Sequence, residues 1–299
     1  MARHPLSVPK RPEGQVTRGK TARNRLRRID ALVLAWDAGL LRRGGAFEDA
    51  LWVDLGYGAE PFTTLESAGR FRRAAPGLRA LGVEIEADRV AAAQPFASAD
   101  VQFRIGGFNL PLRDGESVRL VRALNVLRQY DEAAVGPALE RLARYVLPGG
   151  LLVEGTSDPF GRVWVVQLLR RVPLRSSPAV GSSGETAWRR EAMVFGTNHR
   201  LGFDPGAFQA VLPKDSIHRV VPGEAIHGFF EGWKRAAAET RAMAAWGQRS
   251  WWRAAGRRLA DLGYAVDPRR RFLGRGWLVW RTPRLGVSPP GFGGGGEQA

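Results

Sequence analysis

Cysteine is absent from the 299 residues, and lysine occurs only at Lys10, Lys20, Lys214 and Lys234. Without cysteine there is no disulfide framework, no thiolate metal site and no cysteine nucleophile. The remaining His, Asp and Glu residues show no metal-ligand spacing. No stretch approaches the roughly 20 apolar residues that span a bilayer. The basic N-terminus is not followed directly by the compact apolar run of a signal peptide. A soluble, cytoplasmic protein with no membrane partner is the expectation. Acidic charge is also short: 29 acidic residues face 45 basic ones, giving a net charge of +16. Arginine supplies nearly all of the excess. With alanine and glycine also abundant, GC-rich coding accounts for much of it.

What is present is ordinary for a globular protein, with 44% hydrophobic and 25% charged residues. The length suits one large α/β domain, or a domain with a subdomain. The charge is unevenly spread. Residues 1–28 carry nine basic residues against Glu13 alone, a net +8 and half of the total excess. Such an arm suits RNA or another polyanion. It is expected either to bind one or to fold over the ligand cleft.

Residues 1–24 have no apolar period and read as a basic extended arm. From Arg25 a helical period begins, with Leu26, Ile29, Leu32, Val33 and Trp36 at three- and four-residue steps. Short apolar runs near 50–55, 78–85, 101–105, 117–124 and 151–154 read as strands. Helical segments over 62–75, 87–94 and 132–146 separate them. This alternation predicts a doubly wound, mostly parallel sheet over 25–155. After Thr156 the alternation fails. Residues 156–247 read as a mainly helical insertion, a substrate or lid region, with a helix over 160–171, a short strand at 192–195 and a helix over 224–246. Ser/Gly-rich residues 176–185 read as a loop. Residues 248–282 are expected to add a helix and a terminal hairpin of 264–266 with 276–280. Residues 283–299, with Pro289-Pro290 and four consecutive glycines, read as a disordered tail.

The most informative segment is Val53-Asp54-Leu55-Gly56-Tyr57-Gly58, a buried strand ending in a glycine turn. An acidic residue just before that turn would repel a pyrophosphate, so a nicotinamide dinucleotide is disfavoured. A cationic, phosphate-free ligand fits better. Thirty residues on, Glu84 ends the second strand, where a carboxylate accepts hydrogen bonds from ribose hydroxyls.

In these residues the chain resembles the class I S-adenosylmethionine (SAM)-dependent methyltransferases. Val53–Gly58 looks like the first motif of that family, and Gly82-Val83-Glu84-Ile85-Glu86 like its ribose motif. Ile105–Pro111 lies where the adenine loop would be. Arg122–Leu127 matches the fourth strand and Leu147–Val153 the turn into the fifth. The resemblance implies a Rossmann-like methyltransferase fold and SAM as cofactor. It implies a cradle of Asp54, Gly56, Tyr57, Gly58, Glu84, Ile85, Gly107, Phe108, Asn109 and Asn125. Asp54 would orient the ammonium and Glu84 the ribose. The family's third turn glycine is replaced by Glu60-Pro61, and the adenine-loop Asp by glycine. That leaves Asn109 or a backbone amide to read the adenine amine.

Methyl transfer is mainly a matter of alignment, so no catalytic triad is required. The substrate-side candidates are Asn125, at the tip of the fourth strand, Tyr130, and His218 in the polar segment 214–219. Asn125 is followed by Val126-Leu127-Arg128, which lacks the Pro-Pro-aromatic run of some aminomethyltransferases. The acceptor is left open between RNA and a small molecule. The alternative is a non-catalytic nucleic-acid-binding protein on a degenerate methyltransferase fold.

Overall fold

The computed structural model describes residues 11–17, 21–42, 44–173 and 187–281. The expected loop at 176–185 and the tail at 283–299 lie outside them. Eight strands form one sheet in the order β3-β2-β1-β4-β5-β6-β7-β8. β1 (Leu51–Leu55), β2 (Ala80–Glu84), β3 (Val101–Ile105), β4 (Val118–Leu124) and β5 (Val146–Ser157) are parallel. β6 (Val163–Arg171), β7 (Trp188–Thr197) and β8 (Trp277–Arg281) extend the sheet in antiparallel sense.

Both faces are covered. On one, α1 (Arg27–Trp36), α2 (Phe62–Ala74) and α3 (Ala87–Ala93) bring Ile29, Leu32, Phe71 and Val90 onto Trp52, Val153 and Val166. α8 (Arg270–Leu273) adds Phe272 to this layer. On the other, α4 (Glu132–Ala143) covers the parallel strands with Val135 and Leu142. α6 (Ala225–Glu239) and α7 (Gln248–Asp261) cover the antiparallel ones, while the short α5 (Lys214–Ile217) lies beside α4. Phe195 on β7 anchors the second cluster, with the rings of Phe208, Phe229, Phe230 and Trp233 centred 5.2–5.9 Å away. Trp251 and Trp252 are buried in the same cluster, whereas Trp246 is exposed.

The first half follows the expected order. The second half corrects two expectations. Residues 160–171 do not form a helix: from Val163 they form β6, so the segment after β5 continues the sheet before it becomes helical. Trp164, Val166 and Leu168 pack on one face while Val163 and Val165 pack on the other. A strand buried on both sides reads as a continuous apolar run, which periodicity does not separate from a buried helix. The terminal hairpin is also replaced. β8 pairs with β7, and only a single bridge, Val266 to Trp280, joins it to residues 264–266.

Candidate functional site

β1, β2, β4 and β5 end on one edge of the sheet. The strand order reverses between β1 and β4, the position where open α/β sheets form a ligand crevice. Gly56 and Gly58 in the turn after β1 have φ of 67° and 96°, which glycine adopts without strain. A Cβ on Gly56 would lie 2.8 Å from the Val126 side chain. A cavity of about 780 Å³ opens here, lined by Gly56, Gly58, Asn125, Arg25, Arg128 and Ser157.

Asp54 lies under this turn, and its carboxylate is already engaged. It stands opposite Arg122 in the β1–β4 register. Arg122 donates from Nε to Oδ1 at 3.1 Å and from Nη2 to Oδ2 at 2.8 Å. The hydroxyls of Thr63 and Thr64 also donate to Oδ2. Arg122 reaches on to Asp30 of α1 at 2.6 Å. All three charged residues are buried. Asp54 therefore closes a buried ion network rather than presenting a free carboxylate to a ligand's ammonium, and it acts on the turn by fixing β1 to β4.

Glu84 is buried at the tip of β2. Its Oε2 accepts from the Gly58 N–H at 3.0 Å and its Oε1 from the Ile85 N–H at 2.9 Å. It therefore braces the glycine turn, and each oxygen retains a lone pair for a hydroxyl donor. Beyond it, Ile85, Gly107 and Phe108 line one wall of a small space, with Asn109 next to them in sequence, at the positions the resemblance gives to the nucleobase. Residues 11–17 of the arm lie against this wall. The Phe108 N–H donates to the Glu13 carbonyl at 2.8 Å. The Glu13 N–H donates to Asn109 Oδ1 at 2.7 Å, and Asn109 Nδ2 donates to the Arg11 carbonyl at 2.8 Å. A Cβ on Gly107 would lie 2.0 Å from the Glu13 carbonyl oxygen. The space left between arm and wall is about 20 Å³. Residues 11–17 fold over the cleft, one of the two fates expected for the arm.

At the other end, Asn125 has a φ of 62°, a left-handed conformation that asparagine tolerates better than most residues. Its N–H donates to the Gly155 carbonyl, and its Oδ1 accepts from the Ser157 N–H, both at 2.8 Å. Ser157 Oγ in turn accepts from Arg25 Nε at 2.9 Å. Burial lowers the pKa of Arg25, partly offset by Asp158. Tyr130 is buried, its hydroxyl accepting from the Gln15 N–H at 2.6 Å and its ring lying edge-on to Phe108. Burial raises its pKa, so it holds the arm as a neutral phenol. Tyr57 also turns its ring into the core, edge-on to Phe103 at 5.4 Å. His218 is exposed at the end of α5 and lines neither cavity of the cleft.

Sequence reasoning missed Arg25, Arg122, Ser157 and the arm's seat. Arg122 left a signal: an arginine inside the apolar run Val118–Leu124 demands buried counter-charge. The arm left little, because most of its hydrogen bonds to the cleft run through its backbone, with the Glu13–Arg141 ion pair added at the surface.

The fold and cleft define a doubly wound, Rossmann-like α/β protein with its site at the strand-order switch. No protein-family model matches the chain, and no curated protein does. Among solved structures it is similar to one described as a sarcosine dimethylglycine methyltransferase from Galdieria sulphuraria, at 18% identity and a TM-score of 0.31 over 43% of this chain and 45% of that one. It is similar to LepI in complex with SAM, at 18% identity and 0.31 over 40% and 29% of the two chains. A geranyl diphosphate methyltransferase in complex with SAM matches at 21% identity and 0.33 over 44% and 50%. The chain thus spans half or less of the length of each.

The residues at the cleft suit an adenosine-bearing ligand in their donor and acceptor chemistry. Glu84 offers a carboxylate to hydroxyls, and the Phe108 N–H and Asn109 carboxamide, held here by the arm backbone, are the groups a base would need. Gly56 and Gly58 leave the turn free of side chains.

Proposed function

We propose that this protein is a SAM-dependent methyltransferase acting on RNA. The observation that carries the first part is the convergence at one strand-order switch of an open cavity lined by the glycine turn and Asn125 with an adjoining space, filled by the arm, that is lined by Glu84 and Phe108. When bound, SAM supplies a methyl group on an electrophilic sulfonium. The chain's own contribution is positioning. Glu84 accepts from the ribose hydroxyls while bracing Gly58. Phe108 and Asn109 read the base. Asn125, its Oδ1 tied to the Ser157 N–H, lines the open cavity where the acceptor would enter. Arg25 brings a buried cation to the cavity wall.

The charge along the same edge supports an RNA acceptor. β7 ends and β8 begins on the edge that carries the cleft. There, Arg28 Nη2 donates to the Thr197 carbonyl at 2.6 Å and also bonds the Arg275 carbonyl. Burial, then the neighbouring cations Arg27 and Arg249, lower Arg28 to about 10. Burial, then Arg249 and Arg28, lower His199 to about 4. Arg128, Arg249 and Arg275 are exposed and, among the described residues, carry no ion pair. Cations crowded this way are relieved by an anion. Phe160, 62% exposed in the turn after β5, offers a ring for a base to stack on.

Calorimetry with SAM and its demethylated product SAH on wild type and Glu84→Ala tests the cofactor, and transfer of labelled methyl to RNA or to small anionic acceptors tests the substrate. Label entering only small molecules would replace the RNA reading. No cofactor binding, with salt-sensitive RNA binding retained, would favour the non-catalytic alternative.

A further inference from the structure

The arm's contact with the nucleobase wall has a specific chemistry. The Glu13 backbone presents its N–H to Asn109 Oδ1 and its carbonyl to the Phe108 N–H, at 2.7 and 2.8 Å. Adenine presents the same pair along one edge, an exocyclic N–H donor beside a ring-nitrogen acceptor. Gly14 follows in the space between Ile85 and Phe108: a Cβ there would lie 3.5 Å from Ile85 Cδ1, 3.9 Å from Phe108 Cδ2 and 3.1 Å from the Tyr130 hydroxyl. A Cβ at Gly14 would make ordinary contact with Ile85 and Phe108 and crowd the Tyr130 hydroxyl, so the Gly14 backbone sits in van der Waals reach of both apolar side chains. Gln15 and Thr17 continue the clamp. The Gln15 N–H donates to the Tyr130 hydroxyl, Gln129 Nε2 donates to the Val16 carbonyl at 2.7 Å, and Arg89 donates to the Thr17 carbonyl at 3.0 Å. With about 20 Å³ remaining, arm and base do not fit together.

We propose that residues 13–17 are an internal adenine mimic. They occupy the adenine subsite of the resting protein, and the cofactor binds by displacing them. The proposal rests on the methyltransferase reading for the identity of the cofactor, but the subsite and its occupant stand on the contacts above. The cavity beside Asn125 and Arg25 stays open with the arm in place. A ligand can therefore enter by that end first and peel the arm from Tyr130 toward Asn109. The open fraction of the arm then scales the apparent affinity for the cofactor.

The test compares the full chain with Glu13→Gln, which removes the ion pair with Arg141 but keeps the backbone, with Glu13→Pro, which also removes the N–H donor to Asn109, and with a chain lacking residues 1–17; Glu13→Gln is the baseline for Glu13→Pro. SAH and adenosine are titrated calorimetrically against all four, and hydrogen exchange is followed across residues 11–17. The expected result is that Glu13→Pro and the shortened chain bind SAH at least about tenfold more tightly, the first than Glu13→Gln and the second than wild type. In wild type, SAH should speed exchange in the arm, and a peptide of residues 8–17 should compete with SAH on the shortened chain. If SAH binds wild type and these two variants bind it no more tightly than their baselines, with arm exchange slowed by SAH, the arm is a lid on the cofactor. The mimic is then overturned, while the methyltransferase reading stands. If no form binds SAH but the shortened chain binds adenosine in competition with the peptide, the mimic stands and the methyltransferase reading falls. If no form binds either compound, both fall.

Discussion

Arg122 and Asp54 face each other in register across β4 and β1, joined by two hydrogen bonds of 3.1 and 2.8 Å and shut away from solvent. The pair ties together the two strands whose divergence creates the cleft, and Asp30 extends it to α1. Breaking a buried pair by removing one partner leaves an uncompensated charge, at a cost of about 3–5 kcal/mol. Asp54→Ala and Arg122→Met should each lose stability on that scale in urea unfolding. In the protein that remains folded, either change should weaken SAH binding less than Glu84→Ala does. The reverse ranking would return Asp54 to direct contact with the cofactor.

Glu84 carries two roles that substitutions can separate. Glu84→Gln keeps an acceptor oxygen for the Gly58 N–H or the ribose but loses the charge. Glu84→Ala also strands the Gly58 and Ile85 N–H groups. Hydrogen bonds to a charged group are worth about 1.5–3 kcal/mol. SAH affinity should fall in the order wild type, Gln, Ala, with the Ala variant losing an amount in that range. Equal affinity in all three would remove Glu84 from the ribose.

The parallel half of the fold was legible because its strands are short apolar runs closed by glycine, and its helices carry a clean three-to-four period, as in Ile29, Leu32 and Val33. Glu84 and the glycine turn were legible for the same reason: their place at strand ends follows from the alternation. Two kinds of information were not. Val163–Arg171 is apolar on both sides, so its period was hidden. The other lies in pairings distant in sequence. Asp54 looked like a free carboxylate until Arg122 was placed beside it, and the arm meets Phe108 and Asn109 through the backbone N–H and carbonyl of Glu13, which any residue except proline provides in full.

Burial gives a pH dependence of its own. Glu154 on β5 is buried on the α4 side, and Gln167 Nε2 donates to it at 3.4 Å while binding Asp215 more closely at 2.8 Å. Burial, then the Asp215 charge, pushes its pKa from 4.5 up to about 8. The folded protein therefore holds a proton here that the unfolded chain releases above pH 4.5. This contribution is fully present below that pH and is lost as pH rises toward 8. Glu154→Gln mimics the protonated form. Its stability relative to wild type should rise steadily between those limits and level off above them. A difference that does not change with pH would show that Glu154 is ionised in the folded state.

The RNA reading makes its own numerical demand. If the rim of the cleft holds a nucleic-acid backbone, affinity must fall with salt through counterion release, by about 0.7 in the slope of log affinity against log salt for each single-strand phosphate contact. Arg128 follows β4, Arg275 precedes β8 and Arg249 begins α7 beside Arg28, so the three cations share the cleft edge without sharing a hydrogen bond with Glu84, Asn109 or Asn125. Replacing all three by alanine should lower the slope for a single-stranded RNA by about 2. The unfolding midpoint should stay close to that of wild type, because these side chains are exposed. Phe160→Ala should instead weaken binding with the slope unchanged, since stacking releases no counterions. A triple variant with the wild-type slope would place the RNA elsewhere, and label transfer to small acceptors would then decide what the cavity beside Asn125 receives.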